Sequence, residues 1–126
     1  VTHQEEIFQI WVDYPVLAKD AKMRAGAAEF VARANHRLVI GHFELDMSDG
    51  QVRFHVGHVI GELGLREDTI CRLVGAALGT ANRYFPGFML LLFGGHTPED
   101  AVYLCELPVH SEEVETPPPA TPPAAR

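Results

Sequence analysis

Several things are scarce or missing in this chain, and each closes a class of function. It has ten Lys and Arg against seventeen Asp and Glu, for a net charge of −7 with His neutral. The basic residues are scattered with no local patch, so the chain repels phosphate and direct nucleic-acid binding is not expected. Only two cysteines are present, Cys71 and Cys105. They lie far apart, lack CxxC spacing and have apolar neighbours. They read as small core residues of a reduced, cytoplasmic protein, and no disulfide between them is expected. The longest strongly apolar run, Phe85 to Phe93, is broken by Pro86 and Gly87. It falls well short of the roughly 20 residues that a membrane span needs, and no membrane association is expected. No signal peptide is visible. There is no GxSxG, no phosphate-binding loop and no GxGxxG, and no Ser, His and Asp set emerges from spacing. Nothing calls for catalysis or a cofactor.

What remains is the composition of one globular domain, 47 % hydrophobic and 21 % charged over 126 residues. Residues 1–110 read as the domain. Ser111 to Arg126 holds five of the nine prolines and no aromatic residue, and reads as a disordered Pro-rich tail. The first residue is Val1 rather than Met, the sign of a fragment or a processed chain.

Ile7 to Val12 reads as a strand with apolar residues at both odd and even positions, which predicts cover on both faces; Tyr14-Pro15 ends it. A helix is predicted from about Lys19 to Asn35, with Met23, Ala27, Phe30, Val31 and Ala34 facing a sheet. Glu29 and Arg33 pair on its outside. Ala21, Ala25, Ala28 and Ala32 form a second, small-residue stripe. High helix propensity on a semi-exposed face explains it, and close approach of another helix is the alternative.

GHFELDMSDGQVRFHVG, Gly41 to Gly57, reads as a β-hairpin. A four-residue loop, Met47 to Gly50, pairs Phe43 with Phe54, Leu45 with Val52, Glu44 with Arg53 and His42 with His55. That register is preferred over a two-residue turn because it sets opposite charges across the strands. A helix then runs from Arg66 to about Tyr84, with Ile70, Leu73, Val74, Ala77, Leu78 and Ala81 on one side. Pro86 is expected to kink or restart it, leaving Phe88 to Phe93 as a short apolar helical piece closed by Gly94-Gly95. Thr97-Pro98-Glu99-Asp100 is a helix start, with Thr97 as cap and Pro98 at the first position. That helix is predicted to reach Glu106 and to bury Ala101, Val102, Leu104 and Cys105.

Seven histidines raise the question of a metal. The one candidate group is His42 with His55 and Glu44, on one exposed sheet face. With no cysteine and no helical HxxxH beside it, it reads as a set of solvated surface groups, and no metal ligand is assigned. Asp46 and Asp49 flank the hairpin turn, where their ordinary work is to cap it. The apolar Phe85 to Phe93 segment is hard for one thin sheet to cover. Phe88, Leu91 and Leu92, with Ala25, Ala28 and Ala32, are therefore the candidate residues for a dimer or protein-binding surface.

ARANHRLVIGHFELDMSDGQVRFHVG, then RYFPGFMLLLFGG and TPEDAV, resemble the YbjN-like family of bacterial sensory transduction regulators. The resemblance covers roughly Ile7 to Leu107. Its most specific parts are Arg33-Ala34-Asn35, Gly41 to Asp46, Asp49-Gly50 and Arg83 to Gly87. It implies an α+β fold like the type III secretion chaperones: an antiparallel sheet packed by helices, usually dimeric, binding segments of other proteins without enzymatic activity. Such domains usually carry a helix and one or more strands ahead of the segment matching Glu6 to Val12, and here five residues precede it. Either the chain is shortened at that end, or the strands come from a partner or a second copy. The expectation is a non-enzymatic, chaperone-like or regulatory protein-binding domain, a homodimer with an unidentified protein partner. The alternatives are a metal or small-molecule sensor using the His42/His55 face, and an unrecognised hydrolase.

Overall fold

The computed structural model describes residues 6–108; the expected Pro-rich tail lies outside them. The elements in chain order are β1 (Ile7–Asp13), α1 (Ala21–Asn35), β2 (His42–Leu45), β3 (Val52–Val59), α2 (Glu67–Phe93) and α3 (Pro98–Glu106). The three strands form one antiparallel sheet in the order β1-β3-β2. Helices α1 and α2 cover one face of this sheet, and α3 packs against both of them. The fold is α+β.

The alternation of the hairpin decides which face is covered. Phe43 pairs with Phe54 and Leu45 with Val52, Glu44 with Arg53 and His42 with His55, the register that the four-residue loop requires. Phe43, Val52, Phe54 and Val56 point to the helices and are buried. The turn is tight because Asp46 accepts from the Ser48 amide and Asp49 from the Gln51 amide. Gly50 has φ +82°, and a Cβ there would overlap the Ala18 carbonyl. The Ala18 amide donates to the Gly50 carbonyl at 2.9 Å, which sews the segment after β1 to the hairpin tip.

Helix α1 starts where Asp20 accepts from the Met23 amide at 2.8 Å. It buries Ala27, Phe30 and Ala34, the stripe expected from the sequence, and Glu29 and Arg33 pair outside at 3.7 Å. Thr97 caps α3 by accepting from the Asp100 amide, with Pro98 at its first position. The core is an aromatic cluster. Phe43 meets Phe54 edge-on at 5.0 Å, and Tyr14 lies 5.3 Å from Phe88. Such pairs add about 0.5–1.5 kcal/mol each beyond burial.

The structure corrects four expectations. Helix α2 runs unbroken through Pro86 to Phe93. The proline removes an N–H and costs roughly 3 kcal/mol, but Tyr84, Phe85 and Phe88 anchor both flanking turns in the aromatic core. The lost hydrogen bond falls on the exposed Asn82 side of the helix. Strand β1 is covered on one face only: Phe8, Ile10 and Val12 are half-buried, while Ile7 and Trp11 are 52 % and 48 % exposed. Leu104, expected in the core, is 43 % exposed, because Ala101, Val102 and Cys105 are the α3 residues that turn to the packed interface. Cys71 is exposed on the first turns of α2, not a core residue; Cys105 is half-buried, and both are free thiols.

Candidate functional site on the open sheet face

The sheet face away from the helices carries four cross-strand rows. Ile7 faces Val59 and Gln9 faces Gly57; Trp11, His55 and His42 form the third row; Asp13, Arg53 and Glu44 form the fourth. Residues two apart on a strand share a face, so His42 and Glu44 rise side by side from β2 and His55 joins them from β3. The His42 Nε2 lies 3.1 Å from Glu44 Oε1, and His55 Nδ1 lies 3.1 Å from the same oxygen. Those three donor atoms lie within 4.8 Å of one another. Arg53 Nε approaches the other carboxylate oxygen at 3.5 Å.

The His55 ring is held on every side. Trp11 stacks on it with centroids 5.0 Å apart and planes 7° from parallel, and His42 meets it edge-on at 5.3 Å. Its Nε2 sits 3.0 Å from Gln9 Oε1. Its Nδ1 is buried, and the approach to Glu44 is too oblique to be a hydrogen bond. The pair His42 and His55 was legible from the hairpin register. Gln9 and Trp11 were missed, because the β1–β3 pairing that places them joins segments distant in sequence. The signal was present in the alternation of β1, once one face is assigned to solvent.

The two edges of the sheet differ. On β2, the Asn35 side chain acts as a substitute strand: its Oδ1 accepts from the Phe43 amide at 2.6 Å and its Nδ2 donates to the Phe43 carbonyl at 3.0 Å. The outer edge of β1 has no strand beside it among the described residues. Glu6 and Tyr14 bond across to β3. By the alternation of an antiparallel ladder, Ile7, Gln9, Trp11 and Asp13 turn their backbone N–H and C=O groups outward.

The residues singled out for a dimer surface fall in different places. Phe88 is 0 % exposed and belongs to this chain's own core. Leu91 and Leu92 are half-buried and line a groove with Met23, Gly26, His96 and Pro98. Ala25 and Ala32 are exposed on α1, and Ala28 is half-buried. Gly26, between them, faces Leu91 of α2, where a Cβ would stand 3.5 Å from the leucine side chain, an ordinary contact.

Perturbed ionisable groups sit away from this face. Burial pushes the Tyr14 hydroxyl well above its ordinary value while it donates to the Ala81 carbonyl at 2.7 Å. Burial, then its hydrogen bond to Glu106, pushes Tyr84 up to about 12. Burial also raises the Cys105 thiol. Burial is the largest cause of each of these three shifts. No described helix is long and apolar enough to cross a membrane.

Neither a curated protein nor a solved structure matches the chain. The family model described as "putative bacterial sensory transduction regulator" matches residues 2–89. By that description it is a regulator family and not a known family of enzymes. The matched residues include the hairpin, Asn35 and Tyr84 to Gly87, and the chain belongs to the YbjN family.

Proposed function

We propose that this chain is a non-enzymatic regulatory domain that works by taking a segment of another polypeptide as an added strand on β1. The observation that carries this reading is the asymmetry of the sheet: Asn35 closes the β2 edge, while β1 presents four residues with outward backbone groups and two exposed apolar side chains, Ile7 and Trp11. Unpaired strand edges pair with other chains, and added-strand recognition draws affinity from backbone bonds and specificity from alternate side chains. A second copy of the chain fits the edge. An antiparallel two-fold pairing centred on Gln9 sets Ile7 of each copy opposite Trp11 of the other, an apolar contact made twice by one symmetric operation. The expected resting form is a homodimer in the cytoplasm, opened by a protein partner whose strand competes for the same edge. The groove beside Leu91 and Leu92 and the Ala25, Ala28 and Ala32 stripe are the second surface such a partner would touch.

Ile7→Pro tests the reading. Proline there removes an outward N–H and leaves the β1–β3 ladder its own bonds. Sedimentation at micromolar concentration should show a dimer for the parent and a monomer for Ile7→Pro, with the variant's melt close to the parent's. A parent that sediments as a monomer and whose β1 amides exchange with solvent equally fast with and without cell extract would refute strand addition at this edge.

A further inference from the structure

We infer that His42, Glu44 and His55 form a binding site for a divalent transition ion of the zinc class on the open face of the sheet. A glutamine Oε1 is an acceptor, so at 3.0 Å from it His55 Nε2 must be the ring's protonated nitrogen. Neutral His55 then keeps a lone pair on Nδ1, and that nitrogen is buried 3.1 Å from a carboxylate oxygen with no hydrogen-bond partner. The His42 Nε2 donates a hydrogen bond to the same oxygen at 3.1 Å, a proton that a metal ion would replace. One ligand atom from each of the three residues lies within 4.8 Å of the others, so a cation placed among them is reached by all three.

The dimensions suit such an ion. Ligands held about 2.0–2.1 Å from a tetrahedral zinc lie roughly 3.3–3.4 Å from one another. The two donor pairs at 3.1 Å are within a few tenths of that. The His42 side chain, 52 % exposed, has the freedom to close the third edge. Two imidazoles and one carboxylate favour a zinc-class ion over magnesium or calcium, which prefer all-oxygen shells. The supporting shell is also built. The Gln9 bond fixes the ring tautomer, the Trp11 stack fixes its plane, and Arg53 holds the free oxygen of Glu44, the kind of outer contacts that orient metal ligands. Coordination positions on the solvent side remain for water. The net charge of −7 favours cation approach. The inference does not depend on strand pairing at β1.

The chain supplies its own reporter, since Trp11, stacked on His55, is its single tryptophan. The full chain, stripped with chelator, is titrated with Co2+ while Trp11 emission is followed, and Zn2+ binding is measured in parallel by calorimetry. The expected result is quenching that ends at one Co2+ per chain and is reversed by Zn2+. His42→Ala, His55→Ala and Glu44→Gln should each weaken Zn2+ binding at least tenfold, and Gln9→Leu about tenfold or more through the lost orienting bond. His58→Ala, on the opposite face of β3, should leave binding unchanged. Far-UV circular dichroism of the metal-free variants shows that they are folded. The inference is overturned if no saturable Zn2+ binding is found up to about 100 μM, an affinity too weak for a built site. It is equally overturned if binding survives both histidine replacements, or falls as much in His58→Ala as in His55→Ala.

Discussion

Gly87→Ala and Gly79→Ala are the same substitution in the same helix, and the structure predicts opposite signs. Alanine is favoured over glycine inside a helix by about 1 kcal/mol. At Gly79 a Cβ would meet nothing within 4 Å, so that preference is realised and the protein should gain about 0.5–1 kcal/mol. At Gly87 the same Cβ would overlap Cys105 Sγ and stand 2.7 Å from the Ala101 carbonyl oxygen. The second neighbour is backbone, in a helix fixed by Ala101 at 0 % and Val102 at 5 % exposure, so it cannot swing aside. Helix α3 must move, and forced overpacking costs roughly 1–3 kcal/mol, occasionally more. With a backbone overlap the cost belongs at or above the top of that range, and it exceeds the propensity gain. The net expectation is a loss of about 2 kcal/mol or more for Gly87→Ala. Urea unfolding with an unchanged slope gives the comparison directly from the midpoints. Adding Cys105→Ala should restore part of the loss but not all, because the Ala101 carbonyl remains. A Gly87→Ala midpoint at or above the parent's would show that α2 and α3 are not packed this closely, and would refute the reasoning.

Three further outcomes follow from other parts of the molecule. Phe54→Ala empties a site that is 0 % exposed between the hairpin and the helices and should cost roughly 3–5 kcal/mol; His42→Ala in metal-free protein should stay within about 0.5 kcal/mol, and melts in the reverse order would overturn the assignment of sheet faces. Asn35→Ala removes both side-chain bonds to Phe43 and should cost about 1–3 kcal/mol; an unchanged exchange rate at the Phe43 amide would show that the edge is not capped there. Tyr84 is neutral-preferring in the fold, with its pKa raised from 10.0 to about 12. Its contribution is therefore whole below pH 10 and is lost as pH rises from about 10 through 12, so melting temperature should fall across that interval and fall less in Tyr84→Phe; identical alkaline profiles would refute the coupling.

Local rules made much of the fold legible. The α1 stripe, the Thr97 cap and the hairpin register each depend on residues close in sequence, and each appears in the structure. What failed was decided by distant packing. Ile7 and Trp11 are apolar, and no local pattern says that the face they occupy lacks a second layer. Pro86 is a helix breaker by its own chemistry, and the anchoring of Tyr84 and Phe88 in the aromatic core overrides it. Leu104 has the right spacing on α3, but a helix of nine residues resting on two others buries only Ala101 and Val102 fully. The candidate site divides in the same way. His42, Glu44 and His55 come from a hairpin, and a reading of register brings them together. Gln9 and Trp11 require strand β1, whose partner lies across the whole of α1 and β2.

The motifs that carry the family resemblance can now be sorted by what their side chains do. Asn35 caps an edge, Gly41 sits at φ +75° where a Cβ would meet the His55 carbonyl at 2.7 Å, and Phe43 is core. Asp46, Asp49 and Gly50 build the turn. Arg83 donates to the Cys105 carbonyl, Tyr84 to Glu106, and Gly87 admits α3. Each of these would be needed by any chain with this fold, whatever it did. His42 and Glu44 are different. His42 is 52 % exposed, and the contact of Glu44 with Arg53 is a surface pair of the kind worth little to stability. Folding alone gives no reason for a carboxylate to sit between two imidazoles beside an exposed tryptophan. A function on this face does, whether the face holds an ion, receives a strand next to it, or uses one event to control the other.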